Sequence, residues 1–368
     1  MNAEQIIVFL LMLSVLVVLH EYGHFLVARR NGVRVTDFAC GFGPTLLKWT
    51  SPRSGTVYRL NAFPIGGYCQ MKGEDGKSNE AEQQREFRNG AVYDADNFQA
   101  KTPLQRLAIV IAGPIANFIV ALVLFVGGAL VFGVPGNVPT NVIYQVVPGM
   151  PAAKAGMRAG DRIVSVDGRP VRDGNALVDT IHGSTGKLLH LVYERNGVAR
   201  ELDLTPVSAA SPNGKVEGHL GFAPLPQTQR VGVAEAASVG WNQFTGVIGM
   251  TLGSLGALLT HPAAVAGQFQ GPIGIARVSA QAQQFGPYIF LSLAGMISIS
   301  LGIFNFLPIP ALDGGRAVFI LFEMLRGKPV DPEKEALVHV GGFAVLIALM
   351  LAVSFHDVTA AMSGKSAF

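Results

Sequence analysis

Residues 6–30 read IIVFLLMLSVLVVLHEYGHFLVARR, an apolar run that carries His20, Glu21 and His24 near its end. About 20 mostly apolar residues cross the hydrocarbon core of a bilayer as an α-helix, so this run is long enough to span a membrane. Ionisable side chains at that depth are costly, and they are retained where they are paired, bound to a metal or in contact with water. The run therefore predicts a membrane helix with a functional polar face.

The composition of the chain is that of a membrane protein with soluble parts. Of its 368 residues, 49% are hydrophobic and only 14% are charged, whereas roughly 25% are charged in an average soluble protein. The mean hydropathy is +0.38. The small net charge of +3 gives no indication of a nucleic-acid partner.

Four apolar stretches predict a polytopic α-helical membrane protein with about four transmembrane helices: 6–28, 107–134, 288–307 and 337–355. A weaker stretch, 247–266, is rich in glycine and is interrupted by His261 and Pro262. We expect it to form an amphipathic helix at the membrane interface, with a fifth span as the alternative. The first run follows Glu4 and lacks a basic leading segment, so we expect a membrane helix there and not a cleaved signal peptide.

The basic residues beside the spans predict the orientation of the chain in the membrane. Lys and Arg cluster after the first span, before the second and after the third, and cytoplasmic loops carry such an excess. We therefore expect the loops 29–106 and 314–335 in the cytoplasm and both termini on the outer face. Cys40 and Cys69 fall in the first of these loops, where thiols remain reduced.

Residues 139–226 have the polarity and regular turns of a soluble domain on the outer face, inserted between the membrane segments 1–138 and 227–368. The segments NVIYQVVPG and DRIVSVDGRPV predict strands, and GNALVDTIHG predicts a short helix closed by Gly183. The segment LLHLVYERNGVARELDLTP predicts a hairpin that turns at Asn196 and Gly197. Together they predict a small, mostly β domain: a partly open barrel with two helices.

His20 and His24 are four residues apart, so on a helix both imidazoles lie on one face, about 6 Å apart along the axis. That spacing suits two ligands of one Zn²⁺ ion. Glu21 is placed to deprotonate a water at the metal, which is the general-base role in an H-E-x-x-H helix. The alternative is a chance match in which the histidines cap a helix or face a polar loop, and the apolar surroundings weigh against it.

A catalytic zinc ion needs a third protein ligand and an open position for water. The third span ends in GIFNFLPIPALDGGR, residues 302–316, where Pro308 and Pro310 break the helix before Asp313. Irregular backbone at membrane depth is tolerated beside protein or a water-filled cavity, so Asp313 is the candidate ligand. Taken alone, Asp313 could equally belong to an ordinary Asp-Gly-Gly turn, and Asn305 could bond between helices.

HEYGH at 20–24 and NFLPIPALDG at 305–314 together resemble the HExxH and NxxPxPxLDG signatures of the site-2 protease family of intramembrane zinc metalloproteases. Further segments are similar to its RseP-type bacterial branch: GFGP at 41–44, RLNAFPIGGYCQM at 59–71, AGPIANF at 112–118 and QGPIGIA at 270–276. The segment PAAKAGMRAGDRIVSVDG, at 151–168, resembles a PDZ domain of the circularly permuted bacterial kind. Many proteins of that branch carry two PDZ domains in tandem, whereas this chain has room for one.

This resemblance implies a zinc endopeptidase of the bacterial inner membrane that acts in regulated intramembrane proteolysis. Its implied substrates are single-span membrane proteins of the anti-sigma factor type and remnant signal peptides, cut within the bilayer. The PDZ-like domain would take a peptide C-terminus, with GHLGF at 218–222 as the candidate strand, although these glycines could equally serve a plain turn. The implied site residues are the zinc ligands His20, His24 and Asp313, the catalytic Glu21, and Asn305, Pro308 and Pro310 at the substrate.

A transmembrane substrate arrives as a helix and must be unwound before its carbonyls can be attacked. Residues 56–71 could hold the extended segment by strand addition, or they could form a simple cytoplasmic hairpin. Two other functions stay open: an inactive membrane scaffold that uses its PDZ-like domain, and a metal transporter. The intact Glu21 argues against the first, and the lack of polar residues on several spans argues against the second.

Overall fold

The computed structural model describes residues 3–74, 94–210, 216–261, 271–328, 330 and 332–362. Residue 270 of the QGPIGIA segment and residues 262–266 of the weak apolar stretch lie outside this part of the chain. The chain forms two compact units. A helical unit comprises residues 1–126, 239–276 and 291–359, and a β-rich unit comprises 127–238, 277–290 and 360–368.

The helices are α1 (Ala3–Arg30), α2 (Pro103–Phe132), α3 (Pro151–Lys154), α4 (Gly174–His182), α5 (Val233–Thr260), α6 (Pro272–Gln284), α7 (Pro287–Phe306), α8 (Asp313–Arg326) and α9 (Pro332–Met362). The strands are β1 (Val35–Thr50), β2 (Val57–Met71), β3 (Val134–Val146), β4 (Arg162–Val166), β5 (Arg169–Pro170), β6 (Leu189–Arg195), β7 (Val198–Leu204), β8 (Val207–Ala210), β9 (Val216–His219) and β10 (Phe222–Gln229). A 3₁₀ turn at Phe98–Ala100 precedes α2.

Five helices within the described ranges are long and apolar enough to cross a membrane: α1, α2, α5, α7 and α9. The sequence predicted four of them. The fifth, α5, begins at Val233, well before the weak stretch expected at 247–266, so the expected short interfacial helix is the second half of a longer one. Residues 233–246 extend it because they are moderately apolar and include only one charged residue, Glu235.

Small residues allow the helices of the helical unit to approach closely. A Cβ atom at Gly23 of α1 would collide with the backbone oxygen of Ala112 and the side chain of Ala116, both on α2. A Cβ at Gly302 of α7 would press on Phe118 and the backbone of α2. Such contacts are the usual way in which membrane helices pack, since lipid provides no hydrophobic force to drive them together.

The first loop contains an antiparallel hairpin of β1 and β2. Each of these strands pairs only with the other among the described residues, so β2 keeps one open edge. Several register shifts bend the hairpin, as bulges do. Many of its large apolar side chains are exposed: Phe42, Leu46, Leu47, Trp49, Phe63 and Ile65.

The β-rich unit contains the strands and short helices that the sequence predicted. Its main sheet has the order β10-β3-β4-β6-β7, with β5 beside β4, while β8 and β9 form a separate pair. The hairpin of β6 and β7 turns at Asn196 and Gly197, whose φ angles of 53° and 78° are those that a tight hairpin turn requires. The core of the β-rich unit includes Ile143, Ile163, Leu177 and Leu191, each at most 1% exposed.

Candidate metal centre

Three metal-binding side chains meet inside the helical unit. His20 and His24 lie one turn apart on α1, and Asp313 begins α8. The Nε2 atoms of the two histidines are 3.2 Å apart, and Oδ2 of Asp313 lies 3.1 Å from Nε2 of His20 and 3.4 Å from Nε2 of His24. Both histidines are 7% exposed. The structure thus brings the three predicted ligands together.

Glycines on two helices make room for this cluster. Gly113 of α2 faces the imidazoles, and a Cβ atom there would overlap Nε2 of His24 and Cε1 of His20. Gly23, between the two histidines, allows α2 to come that close. The space beside the imidazoles therefore depends on the absence of side chains at these positions.

Asp313 is positioned by a tight loop between α7 and α8. Cβ atoms at Gly314 and Gly315 would collide with the backbone oxygens of Leu307 and Ile309, so the start of α8 packs directly on the loop. Ala311 has a φ of 79°, a left-handed value that is uncommon outside glycine. Its N–H donates to Nδ1 of His339 at 2.8 Å, which supports that conformation.

The three donor atoms fit a zinc ion. Two ligands about 2.05 Å from zinc at a tetrahedral angle are roughly 3.3 Å apart, and the observed separations are 3.1 to 3.4 Å. Oδ2 of Asp313 is buried and accepts no well-formed hydrogen bond from the described residues. A bound cation would satisfy this oxygen, and two imidazoles with one carboxylate are a donor set typical of catalytic zinc.

The second ring nitrogen of each histidine, Nδ1, also lies near a hydrogen-bonding group. Nδ1 of His24 lies 2.8 Å from the carbonyl oxygen of Ile109, to which it can only donate. This bond places the proton on Nδ1 and leaves Nε2 free to bind a metal. Nδ1 of His20 lies 3.1 Å from the side-chain amide of Asn117, a fully buried residue of α2.

The orientation of the Asn117 amide decides the tautomer of His20. With Nδ2 beside the ring, Asn117 would donate to Nδ1, and the proton of a neutral imidazole would occupy Nε2. Oδ1 of Asn117 is buried and has no hydrogen-bond partner among the described residues. The two amide atoms are interchangeable by a half-turn. With Oδ1 beside the ring, His20 donates from Nδ1, and Nε2 becomes a metal ligand like that of His24.

A cavity of about 470 Å³ adjoins two of the three candidate ligands, His24 and Asp313. Glu21, His24 and Asp313 line it, as do Tyr68 and Cys69 of β2. Burial raises the pKa of the Cys69 thiol, and the nearby carboxylates raise it further, so the thiol remains protonated at neutral pH. The cavity therefore brings together the Glu21 carboxylate, two of the candidate ligands and one strand of the β1–β2 hairpin.

The remaining predicted site residues lie outside this cavity. Asn305 is in the last turn of α7, where its Nδ2 donates to the carbonyl oxygen of Leu301 at 2.9 Å. Pro308 is exposed in the loop that follows. Pro310 packs against Gly342 of α9, where a Cβ atom would collide with it. Their predicted role at the substrate remains a prediction.

The sequence reasoning missed the residues that support the ligands. Asn117 gave a signal, because an amide inside an apolar span needs a partner. Gly113 lies beside Pro114 in the same helix, but a glycine alone does not reveal what it faces. The ion pair between Arg316 of α8 and Glu74, just after β2, joins segments far apart in the sequence and left no local pattern.

A bundle of apolar helices with a buried two-histidine, one-aspartate cluster and an adjoining carboxylate defines a membrane-embedded metallopeptidase. The sequence matches Peptidase family M50 over residues 8–349, and the protein belongs to that family. It is thus a multi-pass membrane zinc metalloendopeptidase of the site-2 protease type, as the motifs predicted.

Curated relatives that align with this chain over nearly their full length carry matching descriptions. The chain is 31% identical to the zinc metalloprotease RasP of Geobacillus kaustophilus, over 96% of this chain and 98% of that protein. It is 30% identical to the regulator of sigma-W protease RasP of Bacillus subtilis, over 97% and 99%. It is 33% identical to a putative zinc metalloprotease of Rhizobium meliloti, over 95% of each.

A solved structure matches part of the chain. The PDZ domain of an SdrC-like protein from Listeria monocytogenes is similar over 25% of this chain and 93% of that one, with 22% identity and a TM-score of 0.21.

Proposed function

We propose that this endopeptidase cleaves single-span membrane proteins within the bilayer, with zinc held by His20, His24 and Asp313 and with Glu21 as the catalytic base. The observation that carries the proposal is the convergence of three donor atoms, 3.1 to 3.4 Å apart, beside a cavity that Glu21 lines. An anti-sigma factor or a remnant signal peptide has the required form, an apolar helix with one span.

Zinc bound at this cluster would polarise the scissile carbonyl and lower the pKa of the attacking water. The Glu21 carboxylate takes a proton from that water as the new carbon–oxygen bond forms. Glu21 then gives the proton to the leaving nitrogen as the peptide carbon–nitrogen bond breaks. One water is consumed, and Glu21 returns to its ionised form.

The open edge of β2 is the proposed docking place for the unwound substrate segment. Tyr68 and Cys69 of β2 line the cavity that Glu21 and Asp313 share. A strand added to this edge would satisfy the backbone groups that unwinding exposes, and so would offset part of the cost of leaving the helical state. The exposed apolar side chains of the hairpin suit an apolar substrate. Asn305, with Pro308 and Pro310, is proposed to contact the substrate backbone beyond the cavity.

With α1, α2, α7 and α9 as the four spans and α5 as a helix that does not cross, we place the loop that carries the β1–β2 hairpin on the cytoplasmic side of the bacterial inner membrane. The β-rich unit and both termini then lie in the periplasm. The basic residues that flank α1 and α2 support this orientation. In the periplasm, the β-rich unit would bind the C-terminus of a substrate after an earlier cut, or would exclude uncut substrates by size. Deleting 139–226 separates these roles, since a filter predicts that full-length substrates become cleavable and a receptor predicts lost cleavage.

Reconstitution with a single-span substrate tests the catalytic assignment. Glu21→Gln should abolish cleavage and retain zinc, because the amide cannot accept the proton but leaves all three ligands in place. Asp313→Ala should lose both cleavage and zinc. Metal content and product are measured on the same preparations.

Glu235→Gln provides the matched control, since it makes the same change at an exposed glutamate of α5. It should cleave like the unmodified protein. Full cleavage by Glu21→Gln would show that another group acts as the base, and full zinc content in Asp313→Ala would remove Asp313 from the ligand set.

A further inference from the structure

A second group of metal-binding side chains lies in the β-rich unit. His182 is the last residue of α4, and Glu217 and His219 lie on β9. One ligand atom from each side chain can be chosen so that all three lie within 4.8 Å of one another. Two imidazoles and a carboxylate are donors that zinc and similar transition ions prefer.

The three side chains are already in contact. Nδ1 of His182 lies 3.0 Å from Oε2 of Glu217, and the rings of His182 and His219 are 5.0 Å apart between centroids. The side chains of His182 and Glu217 are 33% and 22% exposed, so an ion in solution can reach them. Small side-chain rotations would bring all three donor atoms to a common ion.

The third side chain, His219, has a ring nitrogen that takes no part in the ion pair between His182 and Glu217. Nε2 of His219 is buried, and it makes no hydrogen bond to any residue that the structure describes. A buried polar atom without a partner is costly and uncommon. A cation shared with the neighbouring imidazole and carboxylate would satisfy it.

The backbone holds these residues on regular elements. A Cβ atom at Gly218 would collide with the carbonyl oxygen of Ile181, so β9 packs directly against the end of α4. Beyond β9, the carbonyl oxygen of Leu220 accepts from the N–H of Ala152 at 2.9 Å, and that of Gly221 accepts from the N–H of Val147 at 2.7 Å. Ligands carried on such supported elements are partly preorganised for a metal.

His190 in the same unit shows what an ordinary surface histidine looks like. Its Nδ1 lies 2.7 Å from Asp203, and its Nε2 lies 3.8 Å from Glu201. The hydrogen bond with Asp203 raises the pKa of His190, as expected for an exposed ion pair. Both ring nitrogens thus face a carboxylate, in contrast to the buried nitrogen of His219.

We propose that His182, Glu217 and His219 form a second site for a divalent transition ion, with Zn²⁺ as the expected occupant. The ion clamps the C-terminal end of α4 to β9. This site shares no residue with the cluster of His20, His24 and Asp313, so the two can be removed separately.

Zinc binding by the full-length protein tests the second site. The protein is purified in detergent without a histidine tag, stripped with a chelator and dialysed against Zn²⁺. The unmodified protein should bind two equivalents, one for each cluster. His182→Ala and Glu217→Gln should each lose one equivalent, or bind it at least about 10-fold more weakly. His190→Ala is the matched control and should keep both.

Asp313→Ala isolates the second site by removing a ligand of the first. In that protein Zn²⁺ should still raise the unfolding temperature of the β-rich unit, and adding Glu217→Gln should remove the increase. Glutamine is isosteric with glutamate. A cooperative thermal transition in the presence of chelator establishes that the metal-free variant is folded. Unchanged zinc stoichiometry and affinity in His182→Ala and Glu217→Gln, or no thermal effect of Zn²⁺ in Asp313→Ala, would overturn the proposal.

Discussion

Asn117 offers a direct test of how the metal centre is organised. Asn117→Leu keeps the number and branching of the side-chain heavy atoms but removes the hydrogen-bond partner of Nδ1 of His20. His20 then has nothing to hold its proton on Nδ1, so the tautomer with a free Nε2 is no longer favoured. Loss of the group that hydrogen-bonds the second nitrogen of a ligand histidine costs about 10–100-fold in metal affinity.

This range corresponds to roughly 1.4–2.7 kcal/mol, since each tenfold is worth about 1.36 kcal/mol. The cost of leaving a buried polar group without a hydrogen bond, about 1–3 kcal/mol, agrees with it. Asn117 is fully buried, so water cannot replace the lost partner. We therefore expect Asn117→Leu to weaken zinc binding about 10–100-fold, measured by competition with a chelator of known affinity.

Asn117→Asp tests the role of the amide oxygen directly, because aspartate has the same shape as asparagine. The aspartate keeps an oxygen acceptor for the N–H of His20, so zinc affinity should stay within a few-fold of the unmodified protein. Unchanged affinity in Asn117→Leu, or an equal loss in Asn117→Asp, would refute the role of the amide oxygen.

Three further predictions follow from packing and burial. Gly113→Ala should lose zinc and cleavage, because its Cβ would overlap the two imidazoles, whereas Gly127→Ala in the same helix meets nothing within 4 Å and should retain both. In single-cysteine variants at pH 8, Cys69 should react with maleimide far more slowly than the less buried Cys40, because burial raises the pKa of the Cys69 thiol. Asp161→Asn breaks a buried bidentate pair with an arginine, at 2.6 and 2.7 Å, and should destabilise the β-rich unit by about 3–5 kcal/mol in thermal unfolding.

Much of the architecture could be predicted from local patterns. Long apolar runs identified α1, α2, α7 and α9, since the bilayer sets a minimum length for a spanning helix. The turn residues Asn196 and Gly197 predicted the hairpin of β6 and β7. The start of α5 was missed because its first half is only moderately apolar, and no local signal separates an interfacial helix from a spanning one at that hydropathy.

The candidate ligands were accessible to sequence reasoning for a different reason. His20 and His24 are four residues apart on one helix, so their proximity is a consequence of helix geometry alone. The partner of His20 could not be found in this way, because Asn117 lies on another helix and reaches the imidazole only through tertiary packing. The cluster of His182, Glu217 and His219 could not be found from the sequence either, because β9 and α4 are far apart in the chain and meet only through tertiary packing.

The loop before Asp313 shows how the fold turns a sequence motif into a positioned ligand. Pro308 and Pro310 cannot continue α7, so the chain must turn before α8 begins. Ala311 adopts a left-handed φ that costs about 1 kcal/mol or more outside glycine, and the hydrogen bond from its N–H to His339 offsets part of that cost. Gly314 then lets the first turn of α8 rest on the loop backbone. These neighbours hold Asp313 in place. Its buried Oδ2 has no hydrogen-bond partner among the described residues and is therefore available for a cation.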